Sequence, residues 1–379
     1  MKDRVVGVVA EFNPFHNGHK YQINEISKQK PLIKIGVISG NFVQRGEISI
    51  LNKFEKAKIA LEEDYDILVE LPVYYSIQNA DIFCEYSVKI LNELGCDIQV
   101  FGIETENIDE IYKITRVQKE ESYNEKLRGY IKEGNSYTKS HELVLNEYGF
   151  KDIYKSNNIL AISYIKSIER NSFNILPYGL KRIGSGYNDI EGDGNIVSAT
   201  MIRKNISKDI SNFVPKSCLK VLKDRKNIFV EDKIFNMFKY VFNVRTKEDI
   251  IKVYDFSDSM YNRVKRCMKE SRNMEEFLSL YVSRNFNAGR IKRVILNTLL
   301  NIEKNDISLD KDVEYIRVLG INEKGAKYLK KLNNPKIFVN WKDIEKHIGS
   351  SLIKIEKNAF IIHEILTECK EKLNVYYTR

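Results

Sequence analysis

Residues 5–23 read VVGVVAEFNPFHNGHKYQI. The run from Val5 to Ala10 is apolar and broken only by Gly7, which is how a strand covered on both faces of a parallel sheet presents itself. Asn13-Pro14 is a turn signal, with φ fixed at the proline. His16-Asn17-Gly18-His19 then leads into a segment of helical character that reaches about Lys28. The predicted order is strand, tight turn, helix. It aims the free N–H groups of a helix N-terminus at whatever sits above the strand, and such an end attracts anions through its unpaired donors and its dipole. Gly18 has no Cβ, so a phosphate or sugar can approach the backbone closely. His16 and His19 fall on one helical turn and can face one ligand. Two imidazoles and a row of amides would stabilise the charge that builds on a triphosphate attacked at its α-phosphorus. Alone, a His-x-x-His pair also fits a metal pair or two surface histidines at a helix start. A zinc site would want a third ligand, and no Cys or His cluster lies nearby.

The alternation continues outward. Residues 32–39 (LIKIGVIS) read as a second strand, and residues 41–47 (NFVQRGE) as a polar loop at its C-terminal end, the edge where open α/β sheets bind ligands. Residues 52–64 read as a helix with Asn52 as N-cap. Residues 66–71 (DILVEL) are a third strand stopped by Pro72, residues 81–94 a helix ended by Gly95, and residues 97–103 (DIQVFGI) a fourth strand. Strands alternating with helices predict a parallel sheet of right-handed βαβ units. Residues 107–150 are charged and helical, Asn157-Asn158 open an amphipathic helix, and residues 173–181 are a fifth strand. Residues 181–204 (KRIGSGYNDIEGDGNIVSATMIRK) read as a long flexible loop ending in a helix start capped by Ser198. From about Pro215 strand-like alternation is rare, and helices are expected over 230–242, 247–254, 273–285 and 288–304. The expected organisation is a parallel-sheet α/β domain over 1–210 followed by an all-α domain over 211–379, so the expected fold class is α/β.

A chain of 379 residues suits two domains. Lys plus Arg number 61 against 52 Asp plus Glu, a net charge of +9 that favours a polyanionic partner such as RNA, although many soluble proteins share such an excess. Cys84, Cys96, Cys218, Cys267 and Cys369 are odd in number and have no CxxC spacing, so reduced thiols are expected rather than a disulfide framework or a zinc ribbon. The opening apolar run is too short for a secretory signal and is followed by acidic Glu11. No run approaches a membrane span. The expectation is a soluble cytoplasmic protein, with no membrane and no protein partner implied.

Residues 198–203 (SATMIR) offer two hydroxyls, a helix N-terminus and a guanidinium within a turn and a half, all suited to phosphate oxygens. Alone, Ser-x-Thr before a helix is ordinary capping. Paired with HNGH on the first strand-to-helix turn, it resembles the nucleotidyltransferase superfamily that shares a site with class I aminoacyl-tRNA synthetases. Its signatures are a (H/T)xGH turn after the first strand and an SSTxIR-like turn near the sheet's end. Here Ala199 replaces the middle serine. The longer strings AEFNPFHNGHKYQ, SGNFVQRGE, ELPVYYSIQNADIF, NNILAISYIK and KRIGSGYND, followed by SATMIRK, resemble the bacterial tRNA(Met) cytidine acetate ligase family over about residues 5–205. RIKRVILN (290–297) and IRVLGINEKG (316–325) extend the resemblance more weakly.

That resemblance implies an enzyme that activates acetate with ATP, giving acetyl-adenylate and pyrophosphate. The acetyl group then passes to N4 of the wobble cytidine of elongator tRNA(Met). It implies a nucleotidyltransferase-like Rossmann domain and an α-helical domain that helps hold tRNA. ATP, acetate and tRNA(Met) are the implied partners, with Mg²⁺ beside the nucleotide. The implied ATP-binding positions are Gly7, Val8, Val9, Ala10, Glu11, Phe12, Asn13, Pro14, Phe15, His16, Asn17, Gly18, His19 and Lys20, then Gly102, Asn157, Asn158 and Arg182. Ser156 stands before the Asn pair where proline is expected, and Ile103 follows Gly102 where a small residue is usual. Both departures bear on adenosine contacts rather than on chemistry.

The reaction needs no protein nucleophile, only positioning and charge stabilisation. His16 and His19 are expected on the α- and β-phosphate oxygens, with Ser198, Thr200 and Arg203 at the β/γ end and Mg²⁺ bridging phosphates. The catalytic candidates are His16, His19 and Arg203, and no protein metal ligands are assigned. Asn41, Gln44 and Arg45 could reach acetate or the nucleotide; equally, Arg45 could simply pair with Glu47 across a turn. For RNA, Arg263, Lys265, Arg266, Arg284, Arg290, Lys292 and Arg293 recur among Tyr261, Tyr281 and Phe286. The cluster Arg284, Arg290, Lys292 and Arg293 is the expected tRNA contact, against the alternative of a solvated helix face. A rival enzyme would join AMP to a phosphorylated metabolite. It shares both phosphate motifs but leaves the helical tail and the basic cluster unexplained. An aminoacyl-tRNA synthetase lacks support because no KMSKS-type loop is present, and a non-catalytic RNA-binding scaffold sits poorly with both motifs being intact.

Overall fold

The computed structural model describes residues 1–151, 153–183, 195–223, 230–283, 286–349, 351–368 and 375–378. Ten strands lie among them: β1 (Val5–Ala10), β2 (Ile33–Ser39), β3 (Phe42–Val43), β4 (Glu47–Ile48), β5 (Ile67–Leu71), β6 (Ile98–Ile103), β7 (Leu176–Lys181), β8 (Ile316–Asn322), β9 (Ile337–Phe338) and β10 (Tyr376–Thr378). The main sheet runs β10-β8-β5-β2-β1-β6-β7, with β9 also on β8. β1 pairs in parallel with β2 on one side and β6 on the other, and β2–β5 and β6–β7 are parallel too. The chain leaves β1 toward β2 and β5, then returns to the far side for β6 and β7. The carboxyl ends of β1 and β6 therefore flank the topological switch point, where open α/β sheets hold ligands.

Both faces of the sheet are covered. Val6, Val8, Ile38 and Leu68 pack against Ile23 and Ile26 of α1 (Asn17–Lys28) and Ala57 and Leu61 of α2 (Lys53–Glu62). Val5, Ile35, Val37 and Val69 form the other core with Val88 and Leu91 of the helix Ala80–Glu93 and Ile162 and Ile165 of the helix Ser156–Arg170. Each fully buried aliphatic side chain contributes about 1.5–3 kcal/mol, so two-sided cover is what the unbroken apolar runs require.

The later half is mostly helical, including Glu231–Val244, Lys247–Lys252, Met274–Tyr281 and Ala288–Leu300, as expected. It does not stay apart from the sheet. β8 joins β5 antiparallel, with Ile67 opposite Ile321 and Leu68 opposite Gly320, and β9 and β10 add to it. Six of the seven β8 residues, Ile316 to Ile321, are buried. A strand buried on both faces does not alternate, so a search for alternation passes over IRVLGIN. The sheet thus takes strands from both sides of residue 210. Val294 and Ile295, and Leu352 and Ile355 of the helix Ser351–Thr367, share one core with Val37 and Val69.

Smaller differences have local causes. The fifth strand starts at Leu176 rather than 173 and carries Pro177, which an edge strand tolerates. The polar stretch 41–47 contains the first strand and turn of the hairpin β3–β4, with Phe42 opposite Ile48 and Val43 opposite Glu47. Residues 107–150 hold three helices, Ile108–Val117, Glu121–Lys132 and Tyr137–Glu147. Residues 184–194 of the expected flexible loop, Arg284 and Cys369 lie outside the described residues. The four described cysteines are free and buried. Among the described residues no helix is long and apolar enough to cross a membrane.

Candidate functional site

The site begins where β1 ends. Phe12 turns the chain with φ of +44°, a left-handed conformation uncommon for a bulky residue, and its side chain is fully buried. Its ring meets His19 edge-on at 4.9 Å and Phe15 at 4.8 Å, an aromatic floor under the bend. His16 caps α1: its Nδ1 accepts the Gly18 N–H at 3.0 Å, while Nδ1 of His19 accepts the His16 N–H at 3.2 Å. A ring nitrogen that accepts from an amide carries no proton, so in each neutral ring the proton sits on Nε2. The two rings lie 3.9 Å apart. Burial lowers the His16 pKa to about 3, with the Arg182 charge adding to it; His19 is lowered by burial first, then by His16 and Arg182. The bend therefore presents two uncharged Nε2–H donors.

The second motif meets the first at the same sheet edge. Asn17 donates from Nδ2 to the carbonyls of Asn195 (2.9 Å) and Asn212 (2.8 Å), and its N–H donates to Phe213 at 3.0 Å. Ser198 caps the helix Ala199–Lys204, accepting the Met201 N–H at 3.2 Å. Arg203 reaches back to the first bend: Nη1 donates to the Asn13 carbonyl at 2.8 Å, and Nη2 to Thr200 Oγ1 and Glu47 Oε2, both at 3.3 Å. Arg182 lies across Gly102, where a Cβ would come within 3.2 Å of the arginine stem. His16, His19, Arg182, Ser198, Thr200 and Arg203 are thus gathered around the β1/β6 switch point. Of the remaining expected positions, Val8, Phe12 and Phe15 are buried core, and Lys20 pairs with Glu63 at 2.9 Å. Asn158 accepts the Glu104 N–H at 2.8 Å and donates to the Ile153 carbonyl at 2.8 Å, while Asn157 donates to the Glu104 carboxylate at 2.5 Å. The Asn pair closes the end of β6.

The β3–β4 hairpin forms the opposite wall. Asn41 is buried, and its Oδ1 accepts the Lys53 N–H at 3.0 Å, beside the Asn52 cap of α2. Gln44 donates its N–H to Glu11 at 2.7 Å and its side-chain amide to the Gln78 carbonyl at 3.1 Å. Burial raises the Glu11 pKa; the Gln44 hydrogen bond and the charges of Lys56, Arg45 and Arg203 oppose that rise. Asn13 Oδ1 accepts the Ile50 N–H at 2.9 Å, tying the hairpin's exit to the first bend. Among the described residues no group of three or more His, Cys, Asp or Glu is arranged to hold a metal ion.

A family model described as HIGH Nucleotidyl Transferase matches residues 3–375. The tRNA(Met) cytidine acetate ligase of Fusobacterium nucleatum is 33% identical, covering 97% of this chain and 95% of that protein. That of Thermosipho africanus is 36% identical over 86% of this chain and 81% of the relative. The chain belongs to the tRNA(Met) cytidine acetate ligase family. Two solved structures share the whole fold: Thermotoga maritima TmcAL without ligand (TM-score 0.90, 27% identity) and TmcAL bound with alpha-thio ATP (TM-score 0.86, 26% identity), each covering 100% of both chains.

Around this family's cleft, sequence reasoning missed two contributors. Glu47 reaches far past Arg45: Oε2 meets Arg203, and Oε1 meets Lys292 at 2.8 Å. The buried side chains of Gln78 and Asn297 exchange two hydrogen bonds, of 2.8 and 3.2 Å. Their only advance signal is that SIQNAD and RIKRVILN both belong to the family-like strings. The basic cluster is largely engaged within the chain. Arg290 grips both Asp255 oxygens from Nε, Nη2 meets one of them at 2.7 Å, and Arg293 is half-buried. Arg263 donates to the Tyr281 carbonyl at 2.7 Å and stacks over Phe286 at 4.9 Å. Lys265 and Arg266 are exposed.

Proposed function

We propose that this chain is a tRNA(Met) cytidine acetate ligase. It joins acetate to AMP at the expense of ATP, releases pyrophosphate, and passes the acetyl group to N4 of the wobble cytidine of elongator tRNA(Met). The observation that carries the reading is the tie between the two phosphate motifs, Asn17 to Asn195 and Asn212 and Arg203 to Asn13, which gives them one cleft at the switch point. The whole-length relatives of that name support the same assignment, and a neighbour solved with alpha-thio ATP supports ATP as substrate.

The residues divide the work as follows. His16 and His19 donate Nε2–H bonds to α- and β-phosphate oxygens, where charge grows as an acetate oxygen attacks the α-phosphorus in line. Because both rings are neutral before ATP arrives, they contribute oriented dipoles rather than charge. Charge comes from Arg182 and Arg203, with Ser198 and Thr200 at the β/γ end. Residues 7–20 supply the backbone against which the nucleotide lies, and Gly102, Asn157 and Asn158 flank the adenosine. Asn41, Gln44 and Arg45, on the hairpin side of the cleft, face acetate or the nucleotide. Among the described residues the polar side chains around the cleft are committed to one another rather than gathered as a carboxylate cluster, and these do not fit a resident metal. Mg²⁺ then belongs to the nucleotide substrate.

For RNA, Arg290 and Arg293 of the helix Ala288–Leu300, together with exposed Lys265 and Arg266, form the surface toward the anticodon; Arg284, also expected there, lies outside the described residues. Arg290 would exchange Asp255 for a phosphate there. Lys292 is turned to Glu47 and has a different task. We place the domain division at 210 on function: both phosphate motifs lie before it, and the RNA-facing residues after it. Incubation with ATP, labelled acetate and tRNA(Met), followed by nucleoside mass analysis, should yield N4-acetylcytidine. ATP–pyrophosphate exchange that does not depend on acetate, with no modified nucleoside, would overturn the assignment and favour transfer of AMP to a phosphorylated metabolite.

A further inference from the structure

Lys292 and Glu47 stand 245 residues apart in the chain and only 2.8 Å apart in space. The pair sits at a seam. Gly46, at φ of +74°, closes the β3–β4 turn with its N–H on the Val43 carbonyl at 2.9 Å. A Cβ there would come within 2.6 Å of the Lys292 carbonyl carbon and the Arg293 nitrogen. The turn is thus seated on the backbone of the helix Ala288–Leu300. The cleft left beside it, bordered by Glu47, Lys292 and Ile295, has a volume of about 20 Å³, room for one water. A second link runs deeper: Gln44 bonds to the Gln78 carbonyl, and the buried Gln78 side chain bonds to Asn297 of the same helix.

The other oxygen of Glu47 meets Arg203, whose guanidinium is also held by Asn13 and Thr200. Side-chain exposures of 18% for Arg203, 27% for Glu47 and 21% for Lys292 make this a half-buried triad. Long arginine side chains lose rotamer freedom when fixed, so a preset guanidinium meets a phosphate at lower entropic cost. Without Lys292, the Glu47 carboxylate would be free to swing with its two-residue strand.

We propose that Glu47 is a positioning residue that aims Arg203 at the nucleotide, and that Lys292 holds Glu47 in place. The basic helix then takes part in the adenylation half of the reaction, before any RNA is bound. This rests on the assignment of Arg203 to the triphosphate.

The test is acetate-dependent ATP–pyrophosphate exchange by the full chain in the absence of tRNA, alongside equilibrium ATP binding. Glu47→Gln and Lys292→Met should each raise KM and Kd for ATP about five- to tenfold, the scale of one charge-assisted contact. Lys292→Arg should restore most of the loss, and the Glu47→Gln/Lys292→Met pair should be no worse than either change alone, because both act through Arg203. Unchanged exchange and ATP affinity in Lys292→Met, with only tRNA binding weakened, would overturn the proposal and leave Lys292 as an RNA contact. A wild-type chain that binds ATP yet gives no acetate-dependent exchange would refute acetate as substrate, while the ATP-binding comparison would still decide the role of Lys292.

Discussion

The bend after β1 and the seam on the helix Ala288–Leu300 are both polar, partly buried and close to the same cleft, yet they are built oppositely. The bend closes on itself: His16 and His19 bond to backbone groups two and three residues away. The seam depends on partners 156, 219 and 245 residues distant. Local closure fixes tautomer and ring direction as soon as α1 forms. The seam exists only when the whole chain has folded. On the proposed reading the first region supplies donors, and the second sets where the Arg203 guanidinium, already held by Asn13 and Thr200, points.

Changes on either side should separate these roles. The largest effect is expected from His19→Ala, which removes one donor from the growing phosphate charge and should lower the adenylation rate about 10²–10³-fold. Near-normal turnover would break the contrast at its root. Gly46→Ala should come next, because it forces an L side chain into positive φ and against the helix backbone. A stability loss of about 1–3 kcal/mol is expected, read from the denaturant midpoint. A neutral result would mean that the turn is not seated as described.

Acid should then act through the bend. The folded His16 pKa, about 3, lies below its ordinary 6.5, so between those values the unfolded chain takes up a proton that the native ring refuses. Stability must therefore rise with pH across that window and fall as acid is added. His16→Gln should flatten this slope by up to about one proton, some 1.4 kcal/mol per pH unit. An unaltered slope would show that His16 titrates normally. The smallest effect is expected from Lys265→Glu, on the exposed face of the helix Asp258–Glu270. It should weaken tRNA binding a few-fold and shift the log–log salt slope by about one, with exchange activity untouched.

What the sequence disclosed follows the same division. β1, β2, β5 and β6 were legible because each is a short apolar run bounded by turn residues, and HNGH with SATMIR carried the cleft because both are contiguous. β8 was not legible, since buried Arg317 interrupts its apolar run within a stretch otherwise read as helical. The hairpin β3–β4 was hidden by its length, two residues on each side. Glu47 invited a pairing across its own turn, and nothing in local spacing points from it to Arg203 or Lys292. Gln78 and Asn297 show no periodicity that would mark them as partners. Arg290 and Lys292 look like free cations in a string of basic residues; only the folded chain brings Asp255 and Glu47 to them.

The central claim is that both polar turns close on one nucleotide. A crystal structure of the full chain with a non-hydrolysable ATP analogue tests it most directly. The expected result has α- and β-phosphate oxygens within hydrogen-bond reach of Nε2 of His16 and His19, with the Arg203 guanidinium on the far end of the same triphosphate. A nucleotide whose phosphates lie away from both histidines, or one bound on a surface that Arg203 does not reach, would contradict it.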